Sequence, residues 1–143
     1  MITSLTHITV TVRDQDEALS FYTEKLGFVR RADEAFGEGA RWLTVSPPGN
    51  GEVEIILHLP SLAAGSPNQE AVNRLLRRVG QAAIVCLATD DCQATYEELS
   101  GRGVEFISPP QAVPWGRQAI FQDLYGNPYL IVEAPSAPGG TTS

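Results

Sequence analysis

Hydrophobic and polar side chains alternate along the first segment of the chain, residues 6–12, which reads THITVTV. The apolar positions are Ile8, Val10 and Val12, and the polar positions between them are His7, Thr9 and Thr11. A period of two is typical of a β-strand with one buried face and one polar face. We therefore predict a first strand that presents a histidine and two threonines on the face opposite the core.

The next segment, residues 16–27, reads DEALSFYTEKLG and repeats its apolar residues at helical spacing. It predicts a helix that Asp14 or Asp16 caps at its start and that Gly27 ends. Short apolar runs then predict three more strands, at 28–32, 40–45 and 53–59. The first half of the chain therefore reads as one strand, one helix and three strands.

The same order of elements recurs after a predicted linker at 60–68 and a short amphipathic helix at 69–79. The segment DDCQATYEELSGRG predicts a capped helix that ends near Gly103. Strands are predicted around this helix, at 82–88, 104–108, 118–123 and 129–133. The tail, residues 135–143, has little apolar content and is predicted to fray.

The two halves also share a register. Three pairs of residues are each 76 positions apart, namely Asp14 and Asp90, Ala18 and Ala94, and Gly27 and Gly103. Two ordinary strand–helix units could coincide in this way by chance. An ancestral duplication explains the shared register better, and it predicts two similar modules in one chain.

Composition narrows the class of protein. The chain has 143 residues, of which 43% are hydrophobic and 19% are charged, so it can fold as one domain or as two small fused units. Its net charge of −7 disfavours a nucleic-acid partner. It contains no apolar run of the roughly 20 residues that span a bilayer, and its start, MITSLTHITV, lacks the pattern of a secretory signal. With two cysteines and no disulfide framework, a cytoplasmic protein without a membrane partner is expected.

One face of each predicted sheet is left without a helix. The single helix of a unit covers only the apolar side, so the other side must meet another surface or enclose a pocket. Two such units side by side would form a curved sheet whose concave face suits a small molecule. Strand parity places His7 on this face, and it places Glu54 and His58 there if Val53, Ile55 and Leu57 face the helix.

The chain resembles the vicinal oxygen chelate superfamily, which includes glyoxalase I, bleomycin resistance proteins and extradiol dioxygenases. The resemblance covers about residues 5–134 and is carried by HITVTVRDQDEALSFYTEKLGF, VEIILHL, DDCQATYEELSGRGVEF and FQDLYGNPYLIVE. It implies an α+β fold in which two βαβββ modules, at about 5–60 and 80–134, form a cupped mixed sheet. It also implies a single domain over 1–143 and a homodimer.

The resemblance further implies a divalent metal ion, with one ligand on the first and one on the fourth strand of each module. His7 and Glu54 match the two ligands of the first module. The corresponding residues of the second module are Ala83, or Ile84 in an alternative alignment, and Leu130, which have no donor atoms. Glu133 has the wrong parity to substitute. The resemblance therefore predicts a degenerate metal site.

Two further side chains could complete a metal site, because His58 shares the Glu54 face and Gln81 lies near the start of its strand. Without a glutamate at position 130, the acid–base group of a glyoxalase-type isomerase is missing. Extradiol cleavage, which needs two histidines and one carboxylate on iron, matches less well still. The ordinary alternatives are a structural His7 and a partly solvated Glu54, or a direct His7–Glu54 pair in the metal-free state, since burial without a partner would raise the pKa of Glu54.

Aromatic side chains provide a second kind of candidate site. Trp42, Trp115 and Phe121 lie on or beside predicted strands, and large aromatic surfaces stack well on flat ligands. Arg117, next to Trp115 in the PWGRQ loop, could meet an anionic group. Arg41 alternates with Trp42, so only one of the two can face a pocket.

Three functions remain open at this point. The first is a protein that binds a small aromatic or carbonyl-bearing metabolite beside a degenerate metal site. The second is a metal-dependent lyase, isomerase or dioxygenase that uses His7 and Glu54 with a nonstandard ligand. The third is a resistance protein that sequesters a drug, as metal-free relatives do.

Overall fold

The structure, a computed structural model, describes residues 1–49 and 51–135. The strands are β1 (His7–Thr11), β2 (Val29–Ala35), β3 (Arg41–Ser46), β4 (Glu54–His58), β5 (Val85–Ala88), β6 (Glu105–Val113), β7 (Gly116–Gln122) and β8 (Pro128–Glu133). The α-helices are α1 (Gln15–Ser20), α2 (Gln69–Leu76) and α3 (Cys92–Gly101). A π-helical turn, Phe21–Lys25, continues α1.

The strands form two mixed sheets of four strands with the same topology. The orders are β1-β4-β3-β2 in the first sheet and β5-β8-β7-β6 in the second. In each sheet the first and last strands of the module run parallel and the other pairs run antiparallel. The predicted α+β class and the two βαβββ modules are confirmed.

The described chain divides into two compact units. The first contains residues 1–82 together with the turn at 124–127, and the second contains the remaining described residues from 83 onward. Within the first unit, the side-chain oxygen of Asn127 accepts a hydrogen bond from the Ala82 backbone N–H at 2.9 Å. Whether 1–143 behaves as a single domain stays a prediction.

The core of the first unit follows the predicted parity. Val10 and Val12 next to β4, and Ile55 and Leu57 on β4 itself, are between 0% and 3% exposed. These residues lie on the side of the sheet where α1 contacts β4. The polar positions that alternate with them therefore lie on the opposite side.

Helices α1 and α3 each have an aspartate as the N-cap residue. The Asp14 carboxylate accepts a hydrogen bond from the Glu17 backbone N–H at 2.9 Å, and Asp91 accepts one from Ala94 at 3.0 Å. Each carboxylate thus satisfies a donor that a helix start leaves unpaired. Of the two predicted caps of α1, the structure selects Asp14. Gly27, at the predicted end, has a φ of 75°, which favours glycine.

Several boundaries differ from those predicted. β6 runs to Val113 rather than 108, across Pro109 and Pro110. β6 pairs only with β7, so these prolines lie in an edge strand, where a missing N–H is tolerated. β2 extends to Ala35, and β5 begins only at Val85.

The helices of the described chain are short, and none is long and apolar enough to cross a membrane. α2 stops at Leu76, three residues before the predicted end, because tight turns follow it. Arg78 and Val79 donate to carbonyls only three residues back, at 2.9 and 3.2 Å. The predicted frayed tail lies outside the described residues except for Pro135.

An arginine joins three elements of the first unit. Arg41 on β3 donates to both oxygens of Asp33 on β2, at 2.8 and 2.9 Å, and to Asp16 on α1 at 2.7 Å. The hydrogen bond from Arg41 lowers the pKa of Asp33, because it stabilises the carboxylate. The paired charges therefore stabilise the fold most when Asp33 is ionised.

We expect Arg41→Gln to lower the free energy of unfolding by about 1–2 kcal/mol at neutral pH. The contribution of Asp33 is fully present above the ordinary carboxyl pKa of about 4 and is lost as pH falls through its lowered pKa. The difference between wild type and variant should therefore shrink in acid. Urea unfolding across a pH series measures it.

The control is Arg74→Gln, which removes only the exposed pair of Arg74 with Glu70 at 3.6 Å. This change should cost less than about 0.5 kcal/mol. Equal costs for the two variants would contradict a structural role for Arg41.

Candidate functional site

The polar face of the first sheet is the side opposite α1. Its central residues come from β1, β3 and β4, and they are His7, Thr9, Thr11, Trp42, Thr44, Ser46, Glu54, Ile56 and His58. The side chain of Arg41 projects to the helix side of β3, because its guanidinium donates to Asp16 on α1. Trp42, the next residue, therefore projects to the polar face, which resolves the choice left open by the sequence.

A histidine, a carboxylate and a threonine meet on this face. The register of β1 with β4 places His7 beside Glu54, with Nε2 and Oε1 3.8 Å apart. The Thr44 hydroxyl donates to the same Oε1 at 2.6 Å. The His7 and Glu54 side chains are 31% and 32% exposed, so a ligand can reach both. The structure therefore places His7 and Glu54 side by side, at a separation longer than a hydrogen bond.

The second oxygen of Glu54 has no hydrogen-bond partner among the residues that the structure describes. Thr44 is fully buried, and its hydroxyl holds the first oxygen of Glu54 in place. On its other side, His7 is held by a contact of 2.9 Å between its Nδ1 and the Thr6 hydroxyl. The carboxylate is thus oriented with one acceptor atom left for a ligand.

Trp42 supplies an aromatic surface next to this pair. Its ring centroid lies 5.3 Å from that of His7, with the ring planes at 64° in an edge-to-face contact. The residue is 36% exposed. The polar face therefore combines a flat apolar surface with a carboxylate acceptor.

His58 lies on the polar face four residues beyond Glu54, or about 13 Å along the strand. Burial lowers the pKa of its imidazole, because it disfavours the charged form. His58 is therefore neutral at physiological pH. In the part of the chain that the structure describes, it does not join His7 and Glu54 in a cluster of metal donors.

The residues of this face do not fit a catalytic metal ion. No group of three or more His, Cys, Asp or Glu side chains in residues 1–49 and 51–135 is placed to hold one. His7 and Glu54 supply two donors, whereas catalytic zinc sites use three protein ligands and an open position. One Glu54 oxygen is already occupied by Thr44.

The second unit shows why its positions cannot complete the set. Ala83 and Ile84 precede β5, and the Ile84 side chain is 62% exposed. In the parallel pair β5–β8, the residue beside Leu130 is Cys86. Because β5 begins at Val85 and not at the predicted position 82, Cys86 takes the place beside Leu130 that was predicted for Ala83 or Ile84.

The remaining predicted ligand contacts also lie in the second unit. Phe121, predicted as a ligand contact, is 1% exposed and stacks on Tyr129 with the ring centroids 5.2 Å apart, so it belongs to the hydrophobic core. Trp115 is 57% exposed in the turn between β6 and β7, where its indole N–H donates to Gln118 at 2.9 Å. Arg117 is the second residue of β7 and lies opposite Glu133 in the β7–β8 ladder.

An open cleft of about 780 Å³ adjoins the polar face at Glu54. Thr6, Arg31 and Glu52 contribute to its walls, with residues of the β3–β4 turn. Its volume lies within the range of small-molecule sites. Sequence parity did not reveal Arg31, because the side chain leaves the regular alternation of β2.

Comparisons with known proteins agree with this architecture. The family model described as Glyoxalase/Bleomycin resistance protein/Dioxygenase superfamily matches residues 4–129. An uncharacterized protein of Shewanella frigidimarina (strain NCIMB 400) is 37% identical over 131 residues, which cover 91% of this chain and 93% of that protein.

Two solved structures are similar over almost the whole chain. The crystal structure of UcmS2 has a TM-score of 0.79 and 37% identity, and the match covers 94% of this chain and 100% of that one. TnmS3, described as an antibiotic binding protein from Streptomyces sp. CB03234, has a TM-score of 0.71 and 29% identity, covering 94% of this chain and 98% of that one.

We expect purified protein, dialysed after exposure to Zn²⁺ or Mn²⁺, to retain clearly less than one ion per chain. His7→Ala and Glu54→Gln should leave the retained amount unchanged, because two donors hold an ion weakly. Elemental analysis measures the ions, and Glu70→Gln, at an exposed carboxylate, controls for nonspecific binding. One ion per chain that both site variants release would contradict this account.

Proposed function

Because the chain belongs to the glyoxalase/bleomycin resistance protein/dioxygenase superfamily, we propose that it binds a flat aromatic small molecule on the polar face of its first sheet. The ligand, an aromatic or carbonyl-bearing compound, is held without chemical change. Membership in this superfamily narrows the range of possible functions, and the side chains of the polar face indicate which of them applies.

The arrangement of Trp42, His7 and Glu54 on one accessible face carries this proposal. A planar ligand can lie against the indole of Trp42, where it gains apolar contact and ring–ring interaction. A hydroxyl of the same ligand can donate to the oxygen of Glu54 that Thr44 does not occupy. Small-molecule sites typically combine such an apolar surface with a few placed polar groups.

The polar groups support binding better than catalysis. Thr44 donates to Glu54 and fixes the carboxylate as an acceptor. Position 130, where the family resemblance calls for a glutamate with acid–base function, holds Leu130. A proton-transfer reaction would therefore depend on Glu54 and His7 alone, without a metal ion to stabilise developing negative charge.

The likeness to TnmS3 favours sequestration as the purpose of binding. That protein is described as an antibiotic binding protein, and it matches this chain at 29% identity over nearly its full length. We therefore propose that the ligand is a toxic aromatic compound or drug that the protein keeps from its target.

The competing function is a metal-dependent lyase, isomerase or dioxygenase that uses His7 and Glu54. His58 is the third ligand that the sequence suggests, and its lowered pKa keeps the imidazole in the neutral form that binds metal. This function requires His58 to move toward the pair. Stoichiometric metal in the purified protein would favour it.

A homodimer in the cytoplasm remains part of the proposal. Each described sheet ends in two edge strands, β1 and β2 in the first and β5 and β6 in the second, so free strand edges exist for pairing. Light scattering during size-exclusion chromatography would measure the mass of the assembly.

We expect beta-naphthol to bind more tightly than its saturated analogue decahydro-beta-naphthol, which has the same hydroxyl group but no flat ring. Trp42→Leu should weaken naphthol binding by about three- to tenfold, because it removes the ring contact and keeps an apolar side chain. Calorimetry measures affinity, and the indole N–H resonance of Trp42 reports the place of binding. Equal binding of the two compounds, or no effect of Trp42→Leu, would overturn the proposed site.

Trp115→Leu accompanies this test, because the sequence predicts that the second tryptophan also contacts the ligand. The variant assigns the two indole resonances as well.

For sequestration itself, a bacterium that expresses the protein should survive bleomycin or another aromatic drug better than a bacterium with Trp42→Leu. The drug should be recovered unmodified, and a chemically altered product would favour an enzyme instead.

A further inference from the structure

The pairing of β2 with β3 is interrupted at Arg31. Arg30 pairs with Val45 and Ala32 pairs with Thr44, so Arg31 is one extra residue between two consecutive partners. Such a β-bulge changes the direction in which a side chain projects, and bulges are frequent beside functional sites. The side chain of Arg31 therefore does not follow the alternation between the two faces of the sheet that its neighbours in β2 show.

Ser46 holds the redirected side chain. Its hydroxyl accepts a hydrogen bond from Arg31 Nε at 2.7 Å, and the residue is fully buried on the polar face. Among the residues that the structure describes, none accepts a hydrogen bond from the two terminal nitrogens of the guanidinium. Arg31 makes no ion pair with a carboxylate in the described ranges, 1–49 and 51–135.

The neighbouring arginines of the same sheet differ in this respect. Arg30 lies 3.6 Å from Asp33, and Arg41 binds both Asp33 and Asp16. In a chain with 17 acidic and 10 basic residues, carboxylates are abundant. The bulge nevertheless directs Arg31 into the cleft beside Glu54 and away from the acidic residues that pair with its neighbours.

The cleft is therefore lined by one guanidinium, that of Arg31, and by two carboxylates, those of Glu52 and Glu54. Arg31 and Glu54 both line it, and Glu54 also lies beside His7, which contacts Trp42. The terminal nitrogens of a guanidinium can bind the two oxygens of a carboxylate together. Glu54 can accept only from a donor such as a hydroxyl.

We propose that Arg31 is an anion-binding residue and that the ligand is an aromatic acid which carries a carboxylate for Arg31 and a hydroxyl for Glu54. This inference rests on the proposed function, because the ring system of the same ligand lies against Trp42. It adds the class of ligand, which the fold and the aromatic surface do not specify.

The test compares a hydroxynaphthoate with the matching hydroxynaphthamide, each with its two substituents at opposite ends of the ring system. The pair differs in one group, which is a charged carboxylate with two acceptor oxygens in the acid and a neutral amide with one acceptor oxygen in its counterpart. Arg31→Gln should weaken binding of the acid by at least about tenfold and that of the amide by less than about twofold. Arg31→Lys, which keeps the charge, should recover part of the affinity for the acid.

Arg30→Gln is the matched control, because Arg30 precedes Arg31 in the same strand and pairs with Asp33 instead. It should change the affinity for either compound by less than about twofold. Calorimetry measures all affinities, and the Trp42 indole resonance verifies that both compounds reach the polar face. Urea unfolding verifies that each variant is folded.

The outcomes separate this inference from the proposed function. If Arg31→Gln leaves binding of the acid unchanged, or weakens both compounds equally, the anion-binding role is overturned while the aromatic site stands. If neither compound binds the wild-type protein or shifts the Trp42 resonance, the proposed function fails and the inference fails with it.

Discussion

The parallel pairing of β1 with β4 is the constraint on which the candidate site depends. It brings together His7 and Glu54, which are far apart along the chain, and sets their side chains on one face. The buried residues Ile55 and Leu57 hold this register, because a shift by one residue would expose them and bury Glu54. The polar site is therefore positioned by hydrophobic packing on the opposite side of the same strands.

The second sheet repeats this topology without repeating the chemistry. Its parallel pair β5–β8 sets Cys86 beside Leu130, where the first sheet sets His7 beside Glu54. The core of the second unit depends on the alternate positions of β8, such as Tyr129, which stacks on Phe121. Residues on the other face can change with little cost to packing, so one scaffold can carry a histidine and a carboxylate in one module and a thiol and an aliphatic side chain at the matching positions of the other.

Hydrogen bonds within the polar face prepare it for a ligand. Thr44 fixes the Glu54 carboxylate and Ser46 fixes the Arg31 guanidinium, in both cases through a fully buried hydroxyl residue. Side chains that are already ordered lose less conformational entropy when a ligand binds. Preorganisation of this kind suits a protein that holds a compound tightly, and it does not require a reaction.

Much of this protein could be read from local sequence patterns. Alternation along residues 6–12 and 53–59 separated core from polar positions, because strand side chains alternate whatever the strand pairs with. Asp14 was recognised as a possible cap, since capping involves only residues three positions apart. The motifs of both halves indicated the family and its two modules.

Other features depended on contacts between distant residues. The bulge at Arg31 exists only against β3, and the partner of Glu54 is Thr44, ten positions earlier on another strand. The place of Phe121 in the core follows from its stacking on Tyr129. Such contacts arise from the pairing of strands, which a local pattern of residues does not encode, and so tertiary structure alone decided which side chains meet at the site.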